Sequence, residues 1–183
     1  YYTDVDSSGK TTLETTISVP KLNEDADKII LLSNLNLTSP LTIENTRNVV
    51  IDLNGYNMLF QTNTSPAIVN NGSLKIMDSK SSDNTSAKIS NNYQTISNQT
   101  NSTLDIESGI IESTNTSSTN AVINNAGNLI FNGKVYVTSG YGINLADRST
   151  STGNGTIKAI ENSKVVSLLN IDNKSISEIK DLT

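Results

Sequence analysis

The stretch AIVNNGSLKI (residues 67–76) returns as AVINNAGNLIF (residues 121–131), and a looser copy, TISNQTNSTLDI (residues 95–106), lies between them. A phrase that recurs at intervals of roughly 20 to 50 residues marks a repeat architecture, in which each unit must offer its neighbour the same shape. Aligned on asparagine, the phrases give Ile68-Val69-Asn70, Ile96-Ser97-Asn98, Val122-Ile123-Asn124 and Gly142-Ile143-Asn144, with steps of 28, 26 and 20 residues. The segment that follows aligns as Leu74-Lys75-Ile76, Leu104-Asp105-Ile106 and Leu129-Ile130-Phe131, apolar at the flanks and variable in the middle. That is the alternation of a strand with one buried face. A third segment follows in each unit, at Ala87-Lys88-Ile89, Ile110-Ile111-Glu112, Val135-Tyr136-Val137 and Thr156-Ile157-Lys158.

Short strands in sets of three, with no helix between them, suit an all-β solenoid. The expected form is a single-stranded parallel β-helix of about five to six coils stacked at roughly 4.8 Å. Equivalent residues then lie above one another. This places Ile68, Ile96 and Val122 in an internal aliphatic core stack, and Asn70, Asn98, Asn124 and Asn144 in a structural ladder at a turn, where an amide both donates and accepts. Unequal steps are absorbed by loops, for which the Ser/Thr/Asn-rich stretches 79–86, 113–119 and 148–155 are suited. The alternative is an antiparallel β-sandwich. Asn-Gly at 54–55, 71–72 and 132–133, flanked by apolar residues, fits type I′ hairpin turns and favours that alternative. Pro20, Pro40 and Pro66 fall between apolar runs, where they break no ladder. The solenoid is expected over residues 28–164. Open solenoid ends pair with other chains unless covered. Residues 1–27 are therefore read as an N-terminal cap or lead-in segment, and residues 165–183 as a C-terminal capping strand or segment.

Composition narrows the chemistry. The 183 residues suffice for one domain with a core. There is no Cys, hence no disulfide and no thiolate metal site, and no His, the commonest general base and metal ligand. Lys and Arg number 13 against 18 Asp and Glu, and only Arg47 and Arg148 are arginines. A net charge of −5 offers no dense cationic face for nucleic acid. The richness in Asn, Ser and Thr is not that of a disordered chain, because short apolar runs such as IILL, VVIDL and VYV recur throughout. None approaches the ~20 apolar residues of a membrane-spanning helix. The chain opens at YYTDVD and closes at EIKDLT, and reads as part of a longer, multi-module protein.

Residues 28–58, KIILLSNLNLTSPLTIENTRNVVIDLNGYNM, carry a strand that runs into Asp-Leu-Asn-Gly and then an aromatic residue, as Val50-Ile51-Asp52-Leu53-Asn54-Gly55-Tyr56. NNGSLKIMDS (residues 70–79) follows one coil later. These segments resemble the first coils of pectate-lyase-like domains in surface proteins of Gram-positive bacteria. The resemblance extends over residues 25–160 and lies in a pattern of strands and turns rather than in invariant side chains. It implies a right-handed parallel β-helix, a secreted or cell-surface protein, and adhesion more often than catalysis.

No catalytic residue is identified. Pectate lyases use an arginine base with acidic residues that hold Ca²⁺, but Arg47 falls in a turn and Arg148 in a Ser/Thr-rich loop, neither in a lyase motif. In the alignment Asp78, Glu107 and Asn132 fall close on adjacent coils, with Asp105 nearby. They form a weak Ca²⁺ or ligand site by their oxygen donors, or a carboxylate set for glycoside cleavage. The plainer reading is solvated outward residues. Asp52 beside Asn-Gly is more ordinarily a turn former than a catalyst. Tyr93, Tyr136 and Tyr141 would serve as a sugar-stacking platform or as ordinary surface packing. The expectation is a non-catalytic binding or display module of a bacterial cell-surface adhesin. It would present a rigid polar β-helix face to a glycan or a host surface or extracellular-matrix protein, without nucleic acid, membrane insertion or a required cofactor. A polysaccharide lyase or glycoside hydrolase acting through Asp78, Asp105 and Glu107, and a structural spacer in a wall-attached protein, are the alternatives.

Overall fold

A three- to five-residue apolar/polar alternation buries one side of a strand and must find a neighbour that buries the same side. The computed structural model of the chain shows how this is met. It describes residues 2–6, 8–9, 11–14, 26–82 and 86–171, with side chains for residues 8–9, 27–82 and 86–160. An antiparallel hairpin of β1 (Tyr2–Asp6) and β2 (Thr11–Glu14) lies against β3 (Ala26–Leu31), with β1 antiparallel to β3. From β3 onward every pairing among the described residues is parallel. The first coil is β3, β4 (Leu35–Leu37) and β5 (Leu41–Ile43). The second is β6 (Asn48–Asp52), β7 (Met58–Phe60) and β8 (Ile68–Asn70). The third is β9 (Ser73–Met77), β10 (Lys88–Asn91) and β11 (Ile96–Asn98), and the fourth β12 (Thr103–Ile106), β13 (Ile110–Ser113) and β14 (Ala121–Asn125). In the fifth, β15 (Asn128–Phe131) precedes one long strand, β16 (Lys134–Leu145), whose two ends pair with β13 and β14 respectively. β17 (Thr150–Thr152) and β18 (Thr156–Ile171) continue the winding. The chain is a right-handed parallel β-helix of about five turns, and no helix occurs among the described residues.

Parallel registry sorts the interior into columns. On the first face, Ile29, Ile51, Ile76, Ile106 and Phe131 stack in order, each 0% exposed. Beside them run Val49, Leu74, Leu104 and Leu129. The second face supplies Leu35, Met58, Ile89, Ile111 and Val135. The third supplies Leu41, Ile68, Ile96, Ile123 and Ile143. Each fully buried aliphatic side chain contributes about 1.5 to 3 kcal/mol relative to exposure.

Two of these inward columns turn polar in mid-stack. One reads Leu37, Phe60, Asn91, Ser113, Val137, and the other Ile43, Asn70, Asn98, Asn125, Leu145. In the second, Asn70 Nδ2 donates to Asn98 Oδ1 at 2.7 Å and to Thr103 O at 2.9 Å. Asn98 Nδ2 repeats the pattern one coil up, to Asn125 Oδ1 at 2.7 Å and Asn128 O at 3.1 Å. Asn125 Nδ2 reaches Thr150 O at 3.1 Å. These amides are buried, so each such bond replaces one that water would otherwise make.

The ladder expected from the sequence therefore holds at Asn70 and Asn98 but passes through Asn125, not Asn124 and Asn144. Ile123 and not Val122 continues the Ile68–Ile96 stack; Val122 is buried one position earlier. Glycine decides the register. A Cβ on Gly127 would lie 2.4 Å from Ser102 O, and one on Gly72 would lie 2.3 Å from Glu44 O, so these two residues occupy the same tight corner. Counting back from them aligns Asn125 with Asn70. Asn124 and Asn144 stack on each other outside, with Asn144 Nδ2 donating to Asn124 Oδ1 at 2.7 Å.

Other expectations shift similarly. Ile110 pairs with Lys88 on one side and Lys134 on the other, so Ala87 and Val135 do not share a level with Ile110. The stretch 148–155, expected as loop, contains β17. Ser151 there takes the place of Leu74, Leu104 and Leu129, which removes the apolar signal of a strand. Asn54 and Gly55 have positive φ (47° and 82°), and Tyr56 N donates to Leu53 O at 2.8 Å. This tight turn rounds a coil corner and joins no hairpin. Residues 165–171 continue β18, and residues 172–183 lie outside the described residues.

Replacing Asn98 by Ala, which strands the Asn125 and Asn70 amides and Ser102, is expected to cost about 2 to 3 kcal/mol in urea denaturation. Asn124→Ala is expected to change stability by no more than about 0.5 kcal/mol. The reverse order would contradict the register.

Candidate functional site

The acidic residues singled out from the sequence do not come together. Asp78 is buried at the neck of the loop between β9 and β10. Its Oδ1 accepts from Gly55 N at 2.8 Å and Lys80 N at 3.2 Å, and its Oδ2 accepts from Ala87 N at 2.7 Å. The carboxylate thus ties together both ends of that loop and the corner of the coil below. Asp52 does the same beneath it, accepting from Asn54 N and Ser79 N, both at 3.0 Å, with Lys28 Nζ 3.7 Å from its other oxygen. Asp105 and Glu107 point outward from the first face instead and flank Lys75, whose Nζ touches Glu107 Oε2 and lies 3.9 Å from Asp105 Oδ2. Among the described residues no three acidic side chains converge as metal ligands would, so the grouping of Asp78 with Asp105 and Glu107 is corrected. The register explains it: Asp105 stacks on Lys75, which draws it along the face, while Asp78 faces the corner.

The hydrogen bond to Glu107 raises the Lys75 pKa above its ordinary value of 10.5; partial desolvation opposes this, and the charges of Glu107 and Asp105 reinforce it. Arg148 lies in a left-handed turn, 90% exposed at its side chain, with Nε 3.8 Å from Asp147 Oδ2. On the second face Lys88 Nζ meets Glu112 Oε2 at 2.6 Å, and Tyr136 stacks on Glu112 one coil up.

Hollows of about 400 Å³ and about 580 Å³ carry charged lining residues, Asp78 and Lys134 in the first and Asp147 and Arg148 in the second; an uncharged one lies where the second face turns into the third. A groove of about 340 Å³ is lined by Gln94, Thr119, Asn120, Ala121, Asn124, Tyr141 and Asn144. Register explains its shape. Tyr141 stands over Ala121, and Gln94 stands one coil below it, so a methyl group separates two long side chains. A second hollow, of about 420 Å³, adjoins it through Thr119 and Asn120 and is lined by Asn63, Asn92, Tyr93 and Asn115 among others. Its floor is held by Asn91, which the sequence reading missed. Asn91 Nδ2 donates to Thr62 Oγ1 at 2.8 Å and Gln94 O at 2.8 Å, and its Oδ1 accepts from Thr62 N at 3.1 Å. The doublet Asn91-Asn92, parallel to Asn70-Asn71 and Asn124-Asn125, was the available signal. Of the three tyrosines proposed as a platform, Tyr93 and Tyr141 line these two adjoining hollows, while Tyr136 belongs to the second face.

Compared with protein-family models, with curated proteins and with solved structures, the chain matches none.

Asp78→Ala, which deprives three backbone N–H groups of their acceptor, is expected to destabilise by about 3 kcal/mol, against at most about 0.5 kcal/mol for the outward Asp105→Ala, read from denaturant midpoints. The Lys75 contribution has the opposite sign convention to a carboxylate's. Its folded pKa is raised, so the stabilisation is complete below pH 10.5 and disappears as the pH climbs through the raised value. The small stability difference between the parent chain and Lys75→Met should accordingly be flat below pH 10.5 and shrink above it in urea titrations at stepped pH.

Proposed function

We propose that the chain is a non-catalytic binding and display module, one β-helix segment of a bacterial cell-surface adhesin related to the pectate-lyase-like domains it resembles. One observation carries this reading. The carboxylates suited to catalysis are engaged with backbone N–H groups or with lysine, whereas two adjoining hollows are lined by neutral amides, hydroxyls and tyrosines. Such a surface recognises by hydrogen bonding and ring contact and holds no paired acid and base at its walls. The stacked coils make the wall rigid, because β14 and β16 are each hydrogen-bonded on both sides, and rigid polar groups recognise a ligand at low ordering cost. The same rod-like build supports a display role on a secreted or wall-attached protein.

The expected result on a panel of immobilised glycans and extracellular-matrix proteins is saturable binding that persists when Ca²⁺ is chelated, with no depolymerised product in the same wells. Product formation that depends on Asp78, Asp105 or Glu107 would replace this reading with a lyase or hydrolase. Silence across the panel would replace it with a spacer.

A further inference from the structure

We infer that the groove over β14 and β16 is a binding site for an uncharged oligosaccharide, with Tyr141 as the ring-stacking surface and Asn124, Asn120 and Gln94 as the hydrogen-bonding groups; this rests on the binding-module reading above and names its ligand class. Three observations lead there.

The first is which groups remain available. Asn70, Asn98 and Asn125 have their amides engaged within the fold. The outward row differs. Asn124 Oδ1 accepts from Asn144, but Asn124 Nδ2 has no partner among the described residues. Gln94 donates to Ile96 O at 2.9 Å through Nε2 and leaves Oε1 as an acceptor. The Asn120 amide and the Tyr141 hydroxyl likewise have no hydrogen-bond partner among the described residues. Donors and acceptors therefore both remain open in one groove, as a polyhydroxylated ligand requires, since each sugar hydroxyl both gives and takes a hydrogen bond.

The second is charge. Among the described residues no Asp, Glu, Lys or Arg lines the groove. An anionic uronate would find no counter-ion there, and a phosphorylated or acidic ligand none either. The third is the backbone. β14 is paired on both sides, with β11 and with β16, so an extended peptide finds no free strand edge to add to. What the groove offers is side-chain chemistry only: amides that match hydroxyls and an aromatic ring that matches the apolar face of a pyranose.

Geometry sets the ligand's extent. Ala121 to Asn124 spans three residues of strand rise, about 10 Å, which suits a short oligosaccharide lying along the strand. The adjoining hollow continues past Thr119 and Asn120 to Tyr93 and Asn92. There Asn92 Oδ1 is enclosed without a hydrogen-bond partner, an acceptor facing no donor of the protein. A longer chain crossing the Thr119–Asn120 saddle would reach it.

The test is a titration of the isotope-labelled full chain, followed by amide chemical shifts, with gluco-, manno-, galacto- and N-acetylglucosamine oligomers and with oligogalacturonate as the anionic counterpart. The expected result is saturable binding of at least one uncharged series, with shifts centred on residues 94, 119–124 and 141–144. Tyr141→Ala should weaken it by roughly 10-fold or more, and Tyr141→Phe by no more than about 3-fold. Asn124→Asp keeps the size and the acceptor for Asn144 but exchanges the open donor for an acceptor, and should cost roughly 10-fold. With no charged side chain in the described lining, affinity should be insensitive to salt. Tyr93→Ala should weaken long oligomers and leave short ones unchanged. Uncharged oligomers whose shifts fall elsewhere and whose affinity ignores Tyr141→Ala and Asn124→Asp would overturn the site while leaving the binding module standing. Binding of oligogalacturonate alone, weakened by salt, would overturn the ligand class. Failure of every oligosaccharide here and of every glycan and protein on the wider panel would remove both readings. Tyr141→Phe and Asn124→Asp conserve volume, so the amide spectrum separates lost binding from lost fold.

Discussion

Everything in this molecule follows from registry between parallel strands. Once a coil is hydrogen-bonded to the one beneath, a residue can meet only its own equivalent above and below, at the inter-strand spacing. An isoleucine in such a column is content with another isoleucine. An amide is not. It needs a donor and an acceptor at every level, and the only side chain the register can supply is another amide. Asn70, Asn98 and Asn125 answer that demand for one another, and the carbonyls of Thr103, Asn128 and Thr150 complete it. Removal of the middle member leaves the outer two without their reciprocal bonds, so the column acts as one unit and not as three separate interactions.

The same rule gives the exterior its character. Asn124 and Asn125 are neighbours in sequence, yet one faces the core and the other faces the groove, because side chains alternate along a strand. Identical chemistry is thus assigned to the core or to the surface by a single residue of register. The inner amide is fully buried and bonded on both sides; the outer one, with Asn144 above it, keeps a donor directed away from the protein. Acidic residues divide in the same manner. Asp52 and Asp78 face the corners and close turns, while Asp105 and Glu107 face out and hold Lys75.

How far this could be read from the sequence depends on the face. The first face was legible to the residue, because Leu74, Leu104 and Leu129 recur with Ile76, Ile106 and Phe131 two places on, and the turn before them is short. The third face was legible as strands but not in register: a doublet, Asn124-Asn125, offers two ways to match Asn70, and only the packing of Gly127 against Ser102 O chooses between them. β17 escaped notice because Ser151 sits where its predecessors carry leucine, and Asn91 because its one signal, the doublet Asn91-Asn92, follows a different strand of the coil from the doublets it matches. The groove over β14 and β16 was half visible. Tyr93 and Tyr141 could be named, but that they share a saddle depends on loops of unequal length, 92–95 in one coil and 114–120 in the next, whose meeting is decided in three dimensions.

The polar columns are bounded. Ile43 lies under Asn70, and Leu145 lies over Asn125. A coil copied in the middle of the rod would insert an amide between amides, and the column would close around it without a gap. A coil copied from the middle onto either end would press an amide against an aliphatic side chain and leave it unanswered. A lineage lengthening this rod by tandem duplication would therefore grow it from the waist, keeping its first and last turns as fixed bookends while the number of turns between them varied.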